Sequence, residues 1–165
     1  MATYKTKFGS LEDFEKGGVT VVNDDVRNYV FSNVFEVAGK AKPFEKVAVA
    51  KNLEYVLEAV RVEGASPWRT SAHDEFALVM SGDVTFDFVD LKSPPADVPP
   101  QGSIELEGTP QGTSMGHVTG RRGHMVILPA HSAYRYSAEQ PAALLLQTVE
   151  SADTRFRWAE ICQNF

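Results

Sequence analysis

The chain has 165 residues, enough for one sizeable core, and its 43% hydrophobic and 23% charged residues are ordinary for a soluble globular domain. A formal net charge of −6 argues against general affinity for nucleic acid or anionic membrane, since both need a basic face. The single cysteine, Cys162, excludes an internal disulfide and suits a reducing compartment. No apolar run approaches a membrane span, and the segment Met1 to Phe8 lacks the apolar core of a signal peptide, so a cytoplasmic location is expected.

In chain order, Ser10 to Gly18 reads as a short helix capped by Ser10, with Asp13 at the reciprocal position and two glycines ending it. Val19 to Val22, Tyr29 to Phe31 and Val34 to Val37 are strand candidates, with Asn23-Asp24-Asp25 as a turn and Gly39 to Pro43 as a loop. Lys46 to Ala50 alternates. The longer run Glu54 to Glu63 is read as a strand because its valines recur, although residues 53 to 61 also suit a helix. Gly64 to Trp68 is a turn. Two strands follow, Glu75 to Met80 and Val84 to Phe88, joined by a tight Ser81-Gly82-Asp83 turn.

Paired prolines at 94–95 and 99–100 mark Asp90 to Pro110 as loop, in which only Ser103 to Leu106 suits a strand. Met125 to Leu128, Ala133 to Tyr136 and Ala142 to Val149 complete the strand candidates. A tail helix over about 153 to 163, capped by Asp153 or Thr154, ends the chain. About ten strands with helices only at the ends predict a single all-β barrel or sandwich, residues 1–165, with an N-terminal extension over about 1–45.

Glu75 heads a strand and Gly82 follows seven positions later. This resembles the second half of the first cupin motif, which runs Gly, five residues, His-x-His, three or four residues, Glu, six residues, Gly. The histidine positions fall within Trp68-Arg69-Thr70-Ser71, which holds none, and His73 stands only two residues before the acid. The second cupin motif runs Gly, five residues, Pro, one residue, Gly, two residues, His, three residues, Asn. Gly123 and Pro129 match it, but His131 replaces the inner glycine, Tyr134 the ligand histidine and Ala138 the asparagine. One carboxylate cannot hold a transition metal, whose sites need three or four convergent donors. The resemblance implies a cupin fold, a double-stranded β-helix or jelly-roll barrel, that has lost its metal. Its vestigial ligand positions are Arg69, Ser71, Glu75 and Tyr134.

Two readings of these residues compete. In one, His73 and Glu75, sharing a side of one strand, join His131 or His124 as a 2-His-1-carboxylate metal site. In the other there is no metal, and Arg69, Glu75 and Tyr134 either form the polar floor of a pocket or, the favoured form, Arg69 and Glu75 make a buried ion pair with the Tyr134 hydroxyl bonded to it, which plugs the barrel without chemistry. Spacing favours the second. Trp68 and the Phe156–Trp158 pair are either partner anchors or staples for the chain ends, and Cys162 is expected to be inert packing.

Several stretches resemble one family more specifically: Gly9-Ser-Leu-Glu-Asp-Phe14, Tyr29 to Val37, Pro43 to Val49, Ser66-Pro-Trp68, Ala72-His-Asp-Glu-Phe-Ala-Leu78, Arg121-Arg-Gly-His-Met125 and Arg155 to Gln163. They are similar to the small subunit of the two-component, Fe(II)-dependent hydroquinone 1,2-dioxygenases, over about residues 9 to 164. The resemblance implies an accessory subunit with no metal and no catalytic residue of its own. Its partner would be a larger cupin-like subunit carrying Fe(II), in an α2β2 heterotetramer. The complex would open hydroquinone to 4-hydroxymuconic semialdehyde in bacterial breakdown of para-substituted phenols. The alternatives are a self-sufficient metal enzyme using His73, Glu75 and His131, or a stand-alone cupin that binds a small molecule.

Overall fold

A computed structural model describes residues 10–13 and 33–157. The first regular element among the described residues is a helix, α1 (Val34–Lys40), where the sequence reading expects a strand over Val34 to Val37. The helix wins because Asn33 caps it: its Oδ1 accepts from Phe35 N at 3.0 Å and Glu36 N at 3.3 Å. Val34, Val37, Ala38 and Ala41 also recur at helical spacing, and a Lys40–Glu36 pair supports the outer side.

Nine strands follow: β1 (Lys46–Asn52), β2 (Tyr55–Ala65), β3 (Arg69–Ser71), β4 (Glu75–Ser81), β5 (Asp83–Leu91), β6 (Ser103–Glu105), β7 (Gly112–Arg121), β8 (Met125–Leu128) and β9 (Ser132–Val149). The expected all-β jelly roll is what forms, built on β9. Its second half lies between β2 and β4, with Leu144 opposite both Val60 and Val79, giving the order β1-β2-β9-β4-β8. Its first half lies between β3 and β5, with Tyr134 opposite Arg69 and Phe88, giving β6-β3-β9-β5-β7. All these pairings are antiparallel. The sequence reading divides β9 into two strands; the structure makes it one of 18 residues. The exposed stretch Glu139-Gln140-Pro141 marks the passage between layers. Proline there removes a backbone donor, and register shifts between Val62 and Gly64 in β2 and between Val79 and Ser81 in β4 bend the neighbours.

Alternation along each strand sends Val60, Val62, Ala77, Val79, Val84, Phe86, Leu128, Tyr136, Leu144 and Leu146 into one core. A second cluster lies under α1, where Val37 and Ala41 meet Val47, Val49 and Ala59. On the uncovered part of the same layer, Phe76, Met125 and Ile127 stay exposed. By contrast, β7 is absent from the sequence reading, which leaves 107–122 without an element. Gly-Thr-Ser-Met-Gly-His-Val-Thr carries no alternation to read, and its residues 112 to 119 are exposed on both faces. Nine backbone pairings to β5 hold it instead.

The expected N-terminal helix reaches the described residues only at Ser10 to Asp13. These form a bend in which Ser10 Oγ accepts from Asp13 N at 3.0 Å. The remainder of that helix, the strand candidates at 19–22 and 29–31, and Cys162 lie outside the described residues. At the other end, residues 153–157 do not open a helix: Thr154 N donates to Ser151 O and Arg155 bridges to Val47, while 158–163 lie outside. Among the described residues no helix is long and apolar enough to cross a membrane.

The Ser81-Gly82-Asp83 turn forms as expected. Gly82 has φ +76°, and a Cβ there would lie 2.7 Å from Ala142 Cβ. Gly82→Ala combines backbone strain with a clash against β9 and should cost about 1–3 kcal/mol. Urea denaturation of the variant beside the parent chain, at equal m-value, checks this.

Candidate functional site

The interior of the barrel has a polar end, formed where β1, β2, β3, β4, β6 and β9 turn charged or hydroxyl side chains inward. Lys46, Glu58, Arg69, Ser71, Glu75, Ser103 and Thr148 are all buried there, and Glu75 and Tyr134 have no exposed surface. A carboxylate so placed must be hydrogen-bonded. Glu75 is: its Oε2 accepts from the Tyr134 hydroxyl, and its Oε1 accepts from Thr148 Oγ1 at 2.6 Å.

That arrangement corrects the expected Arg69–Glu75 ion pair. Arg69 points the other way. Its Nε donates to Ser103 Oγ at 2.9 Å, and its Nη2 donates to Ser103 O at 2.7 Å and to Asp153. Glu105 lies 3.9 Å from Nη1. The Tyr134 hydroxyl serves Glu75 as expected, but Thr148, which the sequence reading does not single out, takes the role given to arginine. Its register beside β4 follows only from the pairing of β9, so no local signal marks it. Ser71 is buried and bonds locally, from Oγ to His73 O at 2.6 Å.

The three histidine and carboxylate groups of the competing metal reading are not brought together. His73 reaches Glu75 only through Thr148. The Thr148 hydrogen is committed to Glu75, so His73 Nε2 must be the donor across its 3.1 Å contact with Thr148 Oγ1, which fixes the Nε2–H tautomer. His131 is exposed at φ +60°, and its N–H donates to Ser71 O at 2.8 Å. It takes the left-handed backbone conformation that the motif's inner glycine would supply, a conformation histidine tolerates better than branched residues. His124 is also exposed, bonded within its own turn to Arg121.

Among the described residues no three His, Cys, Asp or Glu side chains converge on a point. A transition-metal ion at the ligand positions would have to displace two hydroxyl groups from Glu75 and sit in a cluster already carrying Lys46 and Arg69. The donor set does not fit a metal.

Burial sets the electrostatics. It raises the Tyr134 hydroxyl well above its usual range, with the Glu75 charge adding to the effect, and raises Tyr136 likewise. It lowers the Lys46 ammonium, helped by Arg69, and raises the Glu58 carboxyl against the pull of Lys46. Trp68 is half-buried with the Arg135 guanidinium 4.7 Å from its ring centroid, and Arg135 is tied to Asp87 at 2.9 Å. Phe156 is partly exposed under Lys51 Nζ.

A jelly roll with a carboxylate heading one inner strand and left-handed glycine turns at 82 and 123 is a cupin. At the level of fold alone it matches a cupin-2 domain protein from Shewanella frigidimarina, 17% identical, over 70% of this chain and 89% of that one at a TM-score of 0.50. No protein-family model and no curated sequence matches the chain. Two solved structures match nearly end to end. A hydroquinone 1,2-dioxygenase from Sphingomonas sp. TTNP3 with 4-hydroxybenzoate bound is 51% identical over 98% of this chain and 99% of that one, at a TM-score of 0.88. The hydroquinone 1,2-dioxygenase PnpCD with Cd2+ and 4-hydroxybenzonitrile is 45% identical over 99% of each, at 0.87. The chain belongs to the hydroquinone 1,2-dioxygenase family. A PnpCD structure with Fe3+ also holds a longer chain that shares the fold at 13% identity and a TM-score of 0.59; this chain covers 39% of it.

Tyr134→Phe removes one of two donors to a buried carboxylate and should cost about 2 kcal/mol. The buried hydroxyl also sets an alkaline limit. An unfolded tyrosine ionises near its ordinary value of 10.0, before the folded one, so this contribution is intact below pH 10 and lost as pH rises above it. Melting temperatures from pH 8 to 11 should fall less steeply above 10 in the variant than in the parent chain.

Proposed function

We propose that this chain is the accessory, metal-free subunit of a heteromeric hydroquinone 1,2-dioxygenase. The observation that carries the reading is the occupation of Glu75: both carboxylate oxygens are used by hydroxyls, and tyrosine and arginine stand at ligand positions. The near end-to-end likeness to chains in two hydroquinone 1,2-dioxygenase structures supports the reaction class. The longer cupin-like chain in a PnpCD structure supports a larger partner.

In this reading the partner carries Fe(II) and the catalytic residues, the assembly is α2β2, and the complex works in the cytoplasm on hydroquinone from para-substituted phenols. Ring opening gives 4-hydroxymuconic semialdehyde. The iron supplies activation of phenolate and oxygen when bound. This chain contributes apolar surface that fixes the partner's site and shields it from water. The exposed, uncharged group Phe76, Met125 and Ile127 is the kind of surface a protein partner covers.

Anaerobic Fe(II) loading followed by elemental analysis and oxygen uptake on hydroquinone tests this directly. The isolated chain should retain no stoichiometric iron and show no turnover; mixing with the larger subunit should restore both. His73→Ala should leave the reconstituted rate nearly intact. Iron near one per chain with turnover would establish a self-sufficient enzyme. A loss on His73→Ala beyond about a hundredfold, about 2.7 kcal/mol of barrier, with assembly unchanged, would give that histidine a catalytic part.

A further inference from the structure

At the polar end of the barrel, Lys46 and Glu58 are buried, opposite in charge, and not in contact. Lys46 pairs with Val60 and Glu58 with Ala48 across β1 and β2, so the two are diagonal neighbours on the inner face. Diagonal positions lie within reach of long side chains. Yet no ion pair joins them within 4.0 Å.

The reason is in their other bonds. Lys46 Nζ is drawn to Ser103 Oγ at 2.9 Å, an oxygen that also serves Arg69 Nε. One of the three ammonium hydrogens is used by that bond. Glu58 Oε1 accepts from Thr154 Oγ1 at 2.6 Å, while Glu58 Oε2, fully buried, has no partner among the described residues. A buried, unpartnered carboxylate oxygen on the position diagonal to a buried ammonium with hydrogens to spare supplies two of the two to four polar partners that an internal water needs.

We infer that the polar end of the barrel binds a structural water that accepts from Lys46 Nζ and donates to Glu58 Oε2. The two groups feel each other's charge, since each is displaced by burial and partly returned by the other. The water therefore completes an indirect ion pair between β1 and β2 while Lys46 keeps its bond to Ser103. This inference does not depend on the proposed dioxygenase role.

A crystal structure of the full chain, alone or in its natural complex, at a resolution that orders internal waters, is the test. A spherical peak about 2.7–3.2 Å from both Lys46 Nζ and Glu58 Oε2 is expected. A direct Lys46–Glu58 contact, or no peak, would overturn the inference. Glu58→Gln keeps an acceptor and the shape, so it should fold and keep the water; loss of the peak there counts against it. Thermal melts of Lys46→Met, Glu58→Leu and the double variant give an independent reading. The double variant should lose less than the sum of the singles, because the singles each strand one charge. Strict additivity would mean that nothing links the pair.

Discussion

The constraint on which the rest of the structure depends is the burial of Glu75. A carboxylate with no exposed surface has to be met by donors fixed in advance, and the barrel supplies two. Tyr134 comes from the first half of β9 and Thr148 from its second half, so both ends of one strand close on a single side chain of β4. Removing either hydroxyl leaves a buried carboxylate oxygen without its donor, which costs more than the net worth of the bond. In a metal cupin the ion would tie these same elements together. Here neutral hydroxyls do so, and the carboxylate is an anchor within the fold.

The same logic explains the distribution of the other charges. With Tyr134 and Thr148 serving Glu75, Arg69 turns toward Ser103 on β6 and Asp153 beyond β9. That ties the short β3–β6 pair and the segment after β9 to the barrel. Thr154, one residue further, bonds Glu58, and Arg155 runs beside Val47 of β1. The polar end is therefore where chain segments far apart in sequence are joined, while the rest of the core, with Val79, Val84 and Phe86, supplies burial without direction. Directional groups at one end and non-directional ones through the rest give a barrel one register.

How much of this was legible in the sequence follows from the physics of each element. The β4-turn-β5 unit was readable because alternation, glycine and the head carboxylate all lie within 14 residues. The jelly roll followed from the number and spacing of such runs. Helix α1 was readable in principle from Asn33 and the spacing of Val34, Val37, Ala38 and Ala41, but its β-branched composition favoured a strand reading, and packing on β1 and β2 overrode it. Strand β7 was not readable, because its residues bury almost nothing and its existence rests on backbone pairing to β5. At the site, Glu75 and Tyr134 were found from motif spacing. Thr148 and Asp153 were not, because their approach depends on how β9 and its continuation pass the barrel, and no local pattern encodes that.

His131 shows how a motif can persist in geometry after its residue has changed. The motif's inner glycine serves a left-handed turn before β9, and at φ +60° the turn is still made. The histidine there is exposed, and its backbone N–H holds the end of β3 through Ser71 O. A histidine in a metal-binding motif is ordinarily read as a candidate ligand. Its position, where the backbone must be left-handed, instead argues for a conformational role, and the same backbone requirement places the side chain on the outside of the turn. The parts of the motif retained here, Gly82, Gly123, Pro129 and the turn at His131, are those that shape the chain, while its histidine ligand positions carry other residues.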